Sequence, residues 1–300
     1  MLDRTRFEHE MAALRECGED GRGRPAESHY LPIARNATLK GRVTGAFVPC
    51  AARTAKTIDV IVYFHGFVET CRGDLAKFGK RGMEYYWSVA PFDKLRSRLD
   101  ASGRAAVLIA PTLHEWVGAR SSGSDRGGDL HEKNRLDKLI GTVLDELKNR
   151  KAIDAGAAIG NIVLAAHSGG GKPMHDAIGA TNALRPKIRA CWGFECVYYG
   201  TSNYVRWLKA DSSLRFRHFR EQNVQSAHVA PLAKLTNFID TTTTTKKAHC
   251  GLVDEFWDSL LGTLPATAGD VKASFELAAP MAARTARLQG WRRSGGGKAA

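Results

Sequence analysis

The stretch Asn161-Ile-Val-Leu-Ala-Ala-His-Ser-Gly-Gly-Gly171 leaves the chain around it little freedom. Ile162, Val163 and Leu164 form a short apolar run, as in a strand covered on both faces of a parallel sheet. His167, Ser168 and three glycines follow at once, so the strand must break into a tight turn before a helix. A lone Ser-Gly-Gly turn is common to many α/β proteins, so its weight depends on what the rest of the chain sets around it.

The chain has 300 residues, enough for one large domain or two small ones, and 43% of them are hydrophobic, which supports a sizeable core. Its net charge is +13, and five basic residues with no acidic one lie between Arg284 and the C-terminus. Such an excess serves solubility, or gives a weak contact with an anionic surface through the tail. No basic run is interleaved with aromatics, so a specific nucleic-acid partner is not expected. The six cysteines, Cys17, Cys50, Cys71, Cys191, Cys196 and Cys250, form no C-x-x-C pair and show no zinc-finger spacing. Free thiols in a reducing compartment are the expectation, with a disulfide at Cys71 or Cys250 as the alternative. Charged residues are spread through the first ten positions, where a signal peptide would have its apolar core, and no transmembrane run is present. A cytoplasmic location is expected, although export without a signal peptide would look the same.

Residues 1–37 read as an extension with a short helix over Arg4–Cys17 and then a Gly-rich linker. An early antiparallel strand is expected over Leu39–Val48, and a buried one over Ile58–Phe64, ending in His65-Gly66. A loop beside the site and a helix around Phe92–Leu99 follow, then a strand over Ala105–Ala110. Leu136, Leu139, Ile140, Val143, Leu144 and Leu147 fall on one helical face. After the Ser168 turn come a helix to about Leu184 and strands over Lys187–Phe194 and Leu214–Phe219. Thr241–Thr245 reads as a loop, Leu252–Leu261 as an amphipathic helix, and the end as a basic tail. Alternating strands and helices argue for an α/β fold: a doubly wound, mostly parallel sheet with helices on both faces, spanning 38–265. Residues 266–300 form the tail.

Ala166-His-Ser-Gly-Gly170 is close to the G-x-S-x-G nucleophile elbow, with Ala166 for the first Gly. Small residues suit that strained turn, which lifts the Ser hydroxyl above the sheet edge at the N-terminus of the next helix. A serine needs a base to take its proton, and the base needs a carboxylate to hold its tautomer. With a strand ending in His65-Gly66, the elbow, an acid after a later strand and a late His before a final helix, the sequence resembles the α/β-hydrolase superfamily over residues 38–263. The resemblance implies Ser168 as nucleophile. It implies an oxyanion hole from the backbone N–H of Gly169 and of Phe67 (or Val68), each worth ~3–4 kcal/mol to the barrier. His65 precedes the elbow and is expected to pin its loop rather than act as base. His167 is expected to pack beneath the turn.

His249, in a loop directly before the final helix, stands where hydrolases of this type carry their base, and His228 is the alternative. Two acids keep the order Ser, acid, His. Glu221 follows the later strand, the usual place in the family, and reads otherwise as a solvated loop charge. Glu195 sits among Trp192, Phe194, Val197 and Tyr198, where an unpaired carboxylate would be costly, so Glu195 is preferred.

His114-Glu115 and His131-Glu132 begin like H-E-x-x-H, but Gly118 and Arg135 stand at the second ligand position. Gly169-Gly-Gly-Lys172 lacks the remaining positions of a phosphate loop, with Pro173 after the Lys. No metal and no cofactor are expected. Tyr85, Tyr86 and Trp87, then Tyr198, Tyr199, Tyr204 and Trp207, crowd two segments near the site and read mostly as lid packing. Glu69, Trp116 and Tyr198 are the substrate-binding candidates, with Arg72 and Asp74 as further polar groups. The expectation is a serine hydrolase of the esterase or lipase-like kind, acting on a small-molecule carboxylic ester through a Ser-His-acid triad and an acyl-enzyme. The alternative is a non-catalytic binding protein on the same fold.

Overall fold

Strand β3 (Thr57–Phe64) is apolar on both faces, and the reason is its place inside the sheet. The computed structural model describes residues 26–33, 43–66, 83–113, 130–180, 182–198, 200–221, 227, 229–243 and 249–264, within a unit running from Met1 to Pro265. Among them, eight strands form one sheet in the order β1-β2-β4-β3-β5-β6-β7-β8. The others are β1 (Glu27–Leu31), β2 (Thr44–Val48), β4 (Ala106–Pro111), β5 (Ala158–His167), β6 (Ile188–Phe194), β7 (Arg215–Arg220) and β8 (Phe238–Thr242). Strand β2 runs antiparallel to β1 and β4, and every pairing from β4 to β8 is parallel.

Side chains of successive strand residues go to opposite faces, and helices cover both. Val60, Val62, Phe64, Ile162 and Leu164 join the layer under α3 (Arg135–Asn149), α4 (Gly171–Gly179) and α5 (Ser202–Ala210). Ile61, Tyr63, Val163, Trp192 and Phe194 join the layer under α1 (Met83–Tyr86), α2 (Lys94–Ala101) and α6 (Gly251–Leu261). The polar intruder in β3, Asp59, has a local cause. The β3–β5 register shifts between Ile58 and Val60, and the Asp59 carboxylate accepts the Asn161 N–H at 2.6 Å.

The expected doubly wound sheet with helices on both faces is present, and several expectations within it are corrected. β1 lies inside the segment 1–37 expected to be an extension, and pairs with β2 along its length. The threonine run expected as a loop instead contributes its first residues to β8, because β-branched threonines suit a half-covered strand at a sheet edge. The segment expected as a loop around Glu84–Trp87 is the helix α1, with Tyr86 and Trp87 packed in the core. The free-thiol expectation fails at Cys50 and Cys250, which are disulfide-bonded, while Cys191 and Cys196 are free and buried. Among the described residues no helix is long and apolar enough to cross a membrane.

Candidate active site

The parallel registers set Ser168 and Glu195 level at one edge of the sheet. His167 of β5 pairs with Phe194 of β6, which pairs with Phe219 of β7, so the next residues along β5 and β6 are Ser168 and Glu195. Neighbouring parallel strands lie about 4.8 Å apart. Both residues carry a positive φ, 52° at Ser168 and 46° at Glu195, conformations that cost a non-glycine residue of order 1–3 kcal/mol. Each is held by what surrounds it.

Ser168 opens a 3-10 turn, Ser168–Gly170, that runs directly into α4, and it is 6% exposed. Its neighbours must be small because other chain segments crowd the turn. A Cβ at Gly66 would lie 2.7 Å from both the His167 ring and the Ser168 Cβ. A Cβ at Gly171 would lie 1.8 Å from the Cys196 carbonyl oxygen. The His-Gly strand end and the loop after β6 are therefore both pressed against the elbow. Gly169 is buried in the turn.

The two histidines expected to be structural are both buried, and their contacts explain their positions. His65 donates from Nδ1 to the Gly66 carbonyl and accepts the Leu113 N–H at Nε2, each at 2.8 Å, so it ties the end of β3 to the end of β4. Burial lowers its pKa to about 4, and the ring is neutral. His167 is fully buried, and burial pushes its pKa far down. Its neutral ring donates from Nε2 to the backbone carbonyl of His249 at 3.3 Å, with the two ring centroids 4.6 Å apart. The residue before Ser168 thus holds the residue expected as base.

His249 stands directly before α6, and α6 is docked by aromatic packing on the strand ends. Phe256 stacks on Phe219 at 4.1 Å, and Trp257 meets Trp192 edge-on at 5.7 Å while donating to the Leu95 carbonyl. From this seat His249 Nδ1 lies 3.2 Å from Glu195 Oε2. The other carboxylate oxygen, Oε1, accepts the Tyr198 hydroxyl at 2.8 Å. Burial alone would raise the Glu195 carboxyl, but the adjoining His249 ring and the Tyr198 hydroxyl outweigh it and hold the pKa below the usual value.

Of the two glutamates, Glu195 is thus the one placed on His249. Tyr198, expected to bind substrate, turns its hydroxyl to Glu195. Phe67, Val68, Glu69, Arg72, Asp74, Trp116, Tyr199, His228 and the His114-Glu115 pair lie outside the described residues. Tyr204 and Trp207 are buried against the body, in keeping with the packing reading. Glu132 is held by Arg135 at the start of α3, and among the described residues no group of three or more His, Cys, Asp or Glu could hold a metal. The tie from His167 to His249 escaped the sequence reading. No spacing rule marks it, because it joins a side chain to a main chain across 82 residues.

No protein-family model matches the chain, and no curated protein matches it in sequence. Among solved structures it is similar to an S-formylglutathione hydrolase from Agrobacterium tumefaciens, with 11% identity over 79% of this chain and 92% of that one, at a TM-score of 0.45. It is also similar to a poly(3-hydroxybutyrate) depolymerase from Bordetella parapertussis, with 12% identity over 83% and 93%, at a TM-score of 0.45. A third is an esterase from Pyrococcus furiosus, with 11% identity over 79% and 91%, at a TM-score of 0.43. The assignment of fold rests on the chain's own topology: a mostly parallel sheet covered on both faces, with a strained serine turn, an acid and a histidine gathered at one edge. By these features the chain is an α/β-hydrolase in fold.

Proposed function

We propose that this protein is a serine hydrolase that cleaves carboxylic esters through Ser168, His249 and Glu195. The observation that carries the reading is the His249–Glu195 contact of 3.2 Å, made from a histidine whose backbone is tied to the elbow. An ionised carboxylate on Nδ1 keeps the proton there and leaves Nε2 free to act as base, and it stabilises the imidazolium that forms. Ser168 passes its proton to His249 as its oxygen bonds to the ester carbonyl carbon. The backbone N–H groups of Gly169 and Phe67 serve the resulting oxyanion. His249 then gives the proton to the departing alcohol, leaving an acyl-serine, and water repeats the sequence to release the acid. The positive φ of 52° at Ser168 supports this reading, because strained backbone clusters at functional sites.

Fluorophosphonate labelling with peptide mapping tests this reading. Wild type is expected to label at Ser168, Ser168→Ala to remain unlabelled, and p-nitrophenyl acyl esters to be hydrolysed by wild type alone. Folded wild type that neither labels nor turns over any ester would overturn the proposal in favour of a non-catalytic binding protein. Amide and thioester panels then define the acyl class.

The disulfide-bonded Cys50 and Cys250 favour an oxidising compartment over the cytoplasm expected from the N-terminal charges. Alkylation under denaturing conditions checks this on protein purified from its native source. Fewer than six reactive thiols before reduction, and six after it, is the expected result. A weak contact between the basic residues after Arg284 and anionic surfaces is the partner reading that the charge supports.

A further inference from the structure

Glu195 is held by more than its histidine. The residue is 6% exposed, and a buried carboxylate has to be given donors for its lone pairs. His249 faces Oε2, while Tyr198 donates to Oε1 from the same loop, three residues on. Cys196 and Val197, between acid and tyrosine, are buried at 1% and 2%, and the Cys196 carbonyl presses on Gly171 of α4. The loop is therefore anchored on the helix that follows the nucleophile, and the tyrosine hydroxyl is delivered from a fixed base. Glu195 itself sits at φ 46°, a backbone conformation a glutamate does not choose, so its side-chain direction needs external restraint.

Resting on the triad reading above, we infer that Tyr198 is a positioning residue for the acid: its hydroxyl locks the Glu195 carboxylate in the rotamer that faces His249. A phenol carries one proton, and this one is committed to Oε1, so it is not available to donate to a substrate. Burial and the adjoining Glu195 carboxylate push the Tyr198 hydroxyl well up, so it remains a donor throughout the working range. The tyrosine thus acts on the reaction through the acid.

The test is Tyr198→Phe in the full chain, which removes one oxygen and keeps the ring. Turnover of a p-nitrophenyl ester is measured per Ser168 titrated by fluorophosphonate. A hydrogen bond to a charged group predicts a fall in kcat of about ten- to hundred-fold with KM nearly unchanged. Losing a donor to the ionised form raises the Glu195 pKa. A raised KM with unchanged kcat would mean a substrate contact and would overturn the inference. Fewer titratable sites with normal turnover per site would mean a merely structural role, and would overturn it too. Wild type that fails to label removes the hydrolase reading alone. The inference is still decided by the Glu195 carboxyl titration, followed by carbon-13 NMR in both proteins. A higher pKa in Tyr198→Phe supports it, and an identical one refutes it.

Discussion

Glu195 and Glu221 are both glutamates that follow parallel strands, yet their carboxylates have different surroundings. Glu195 lies level with Ser168 and meets His249, whereas Glu221 follows the next strand, β7. Two outcomes follow at this scale. Glu195→Gln keeps the shape but loses the charge that holds the base, and kcat is expected to fall about 10³- to 10⁴-fold. In Glu221→Gln, kcat should stay within a few-fold of wild type. Stopped-flow ester hydrolysis on the two variants checks both, and the reverse ranking would move the acid to Glu221. The preference for Glu195 was legible from its apolar neighbours, because an unpaired carboxylate there would be costly. Its positive φ and its tyrosine donor were not legible, since both depend on how the loop after β6 meets α4.

The elbow joins β5 to α4, and its glycines answer to other elements. A methyl group at Gly171 would enter the Cys196 carbonyl, so the acid loop or the helix would have to move. Gly171→Ala is expected to lower stability by roughly 1–3 kcal/mol and to lower kcat as well, since the displaced loop carries Glu195. Urea unfolding followed by Trp fluorescence measures the first effect and ester turnover the second. Helix α6 tells a similar story from the other side. Trp257, fully buried, packs on Tyr63, Trp192 and Phe194, and its truncation to Ala should cost about 3–5 kcal/mol. Because α6 carries His249 at its start, activity in that variant should fall below the midpoint of thermal unfolding. Amphipathic α3 and the buried strands were readable from their periodicity. The edge strand β8 was not, because Phe238–Thr242 buries only its first residue fully and shows no strong pattern.

The whole molecule carries several titrating groups that resist protonation when folded. Burial lowers His65 to about 4 and His167 far below its ordinary 6.5. The unfolded chain takes up those protons first, so stability is full above pH 6.5 and falls as pH drops toward 4. His65 alone accounts for about 3 kcal/mol of that loss. Carboxylates continue the trend. Burial pushes the Asp240 carboxyl up, but hydrogen bonds from His218 and Arg220 outweigh it and hold it below 3.8. Its contribution is present above that value and is lost as pH falls through the lowered one. Urea midpoints measured from pH 8 down to pH 4 should therefore decline steadily below 6.5. A flat midpoint to pH 4 would show that the two histidines are not buried neutral.

Local chemistry along the chain determined which segments are strands, which serine stands on a strained turn, and which histidine and glutamates could serve it. The first two follow from periodicity and small residues, which act over a few residues, and the third from the chain order that the resemblance implies. Tertiary structure alone decided that His167 holds the His249 backbone and that Tyr198 donates to Glu195. It also decided that Cys50 and Cys250 are each disulfide-bonded. Each of these depends on the register of neighbouring strands or on close approach between distant segments, and a sequence carries no local signal for either.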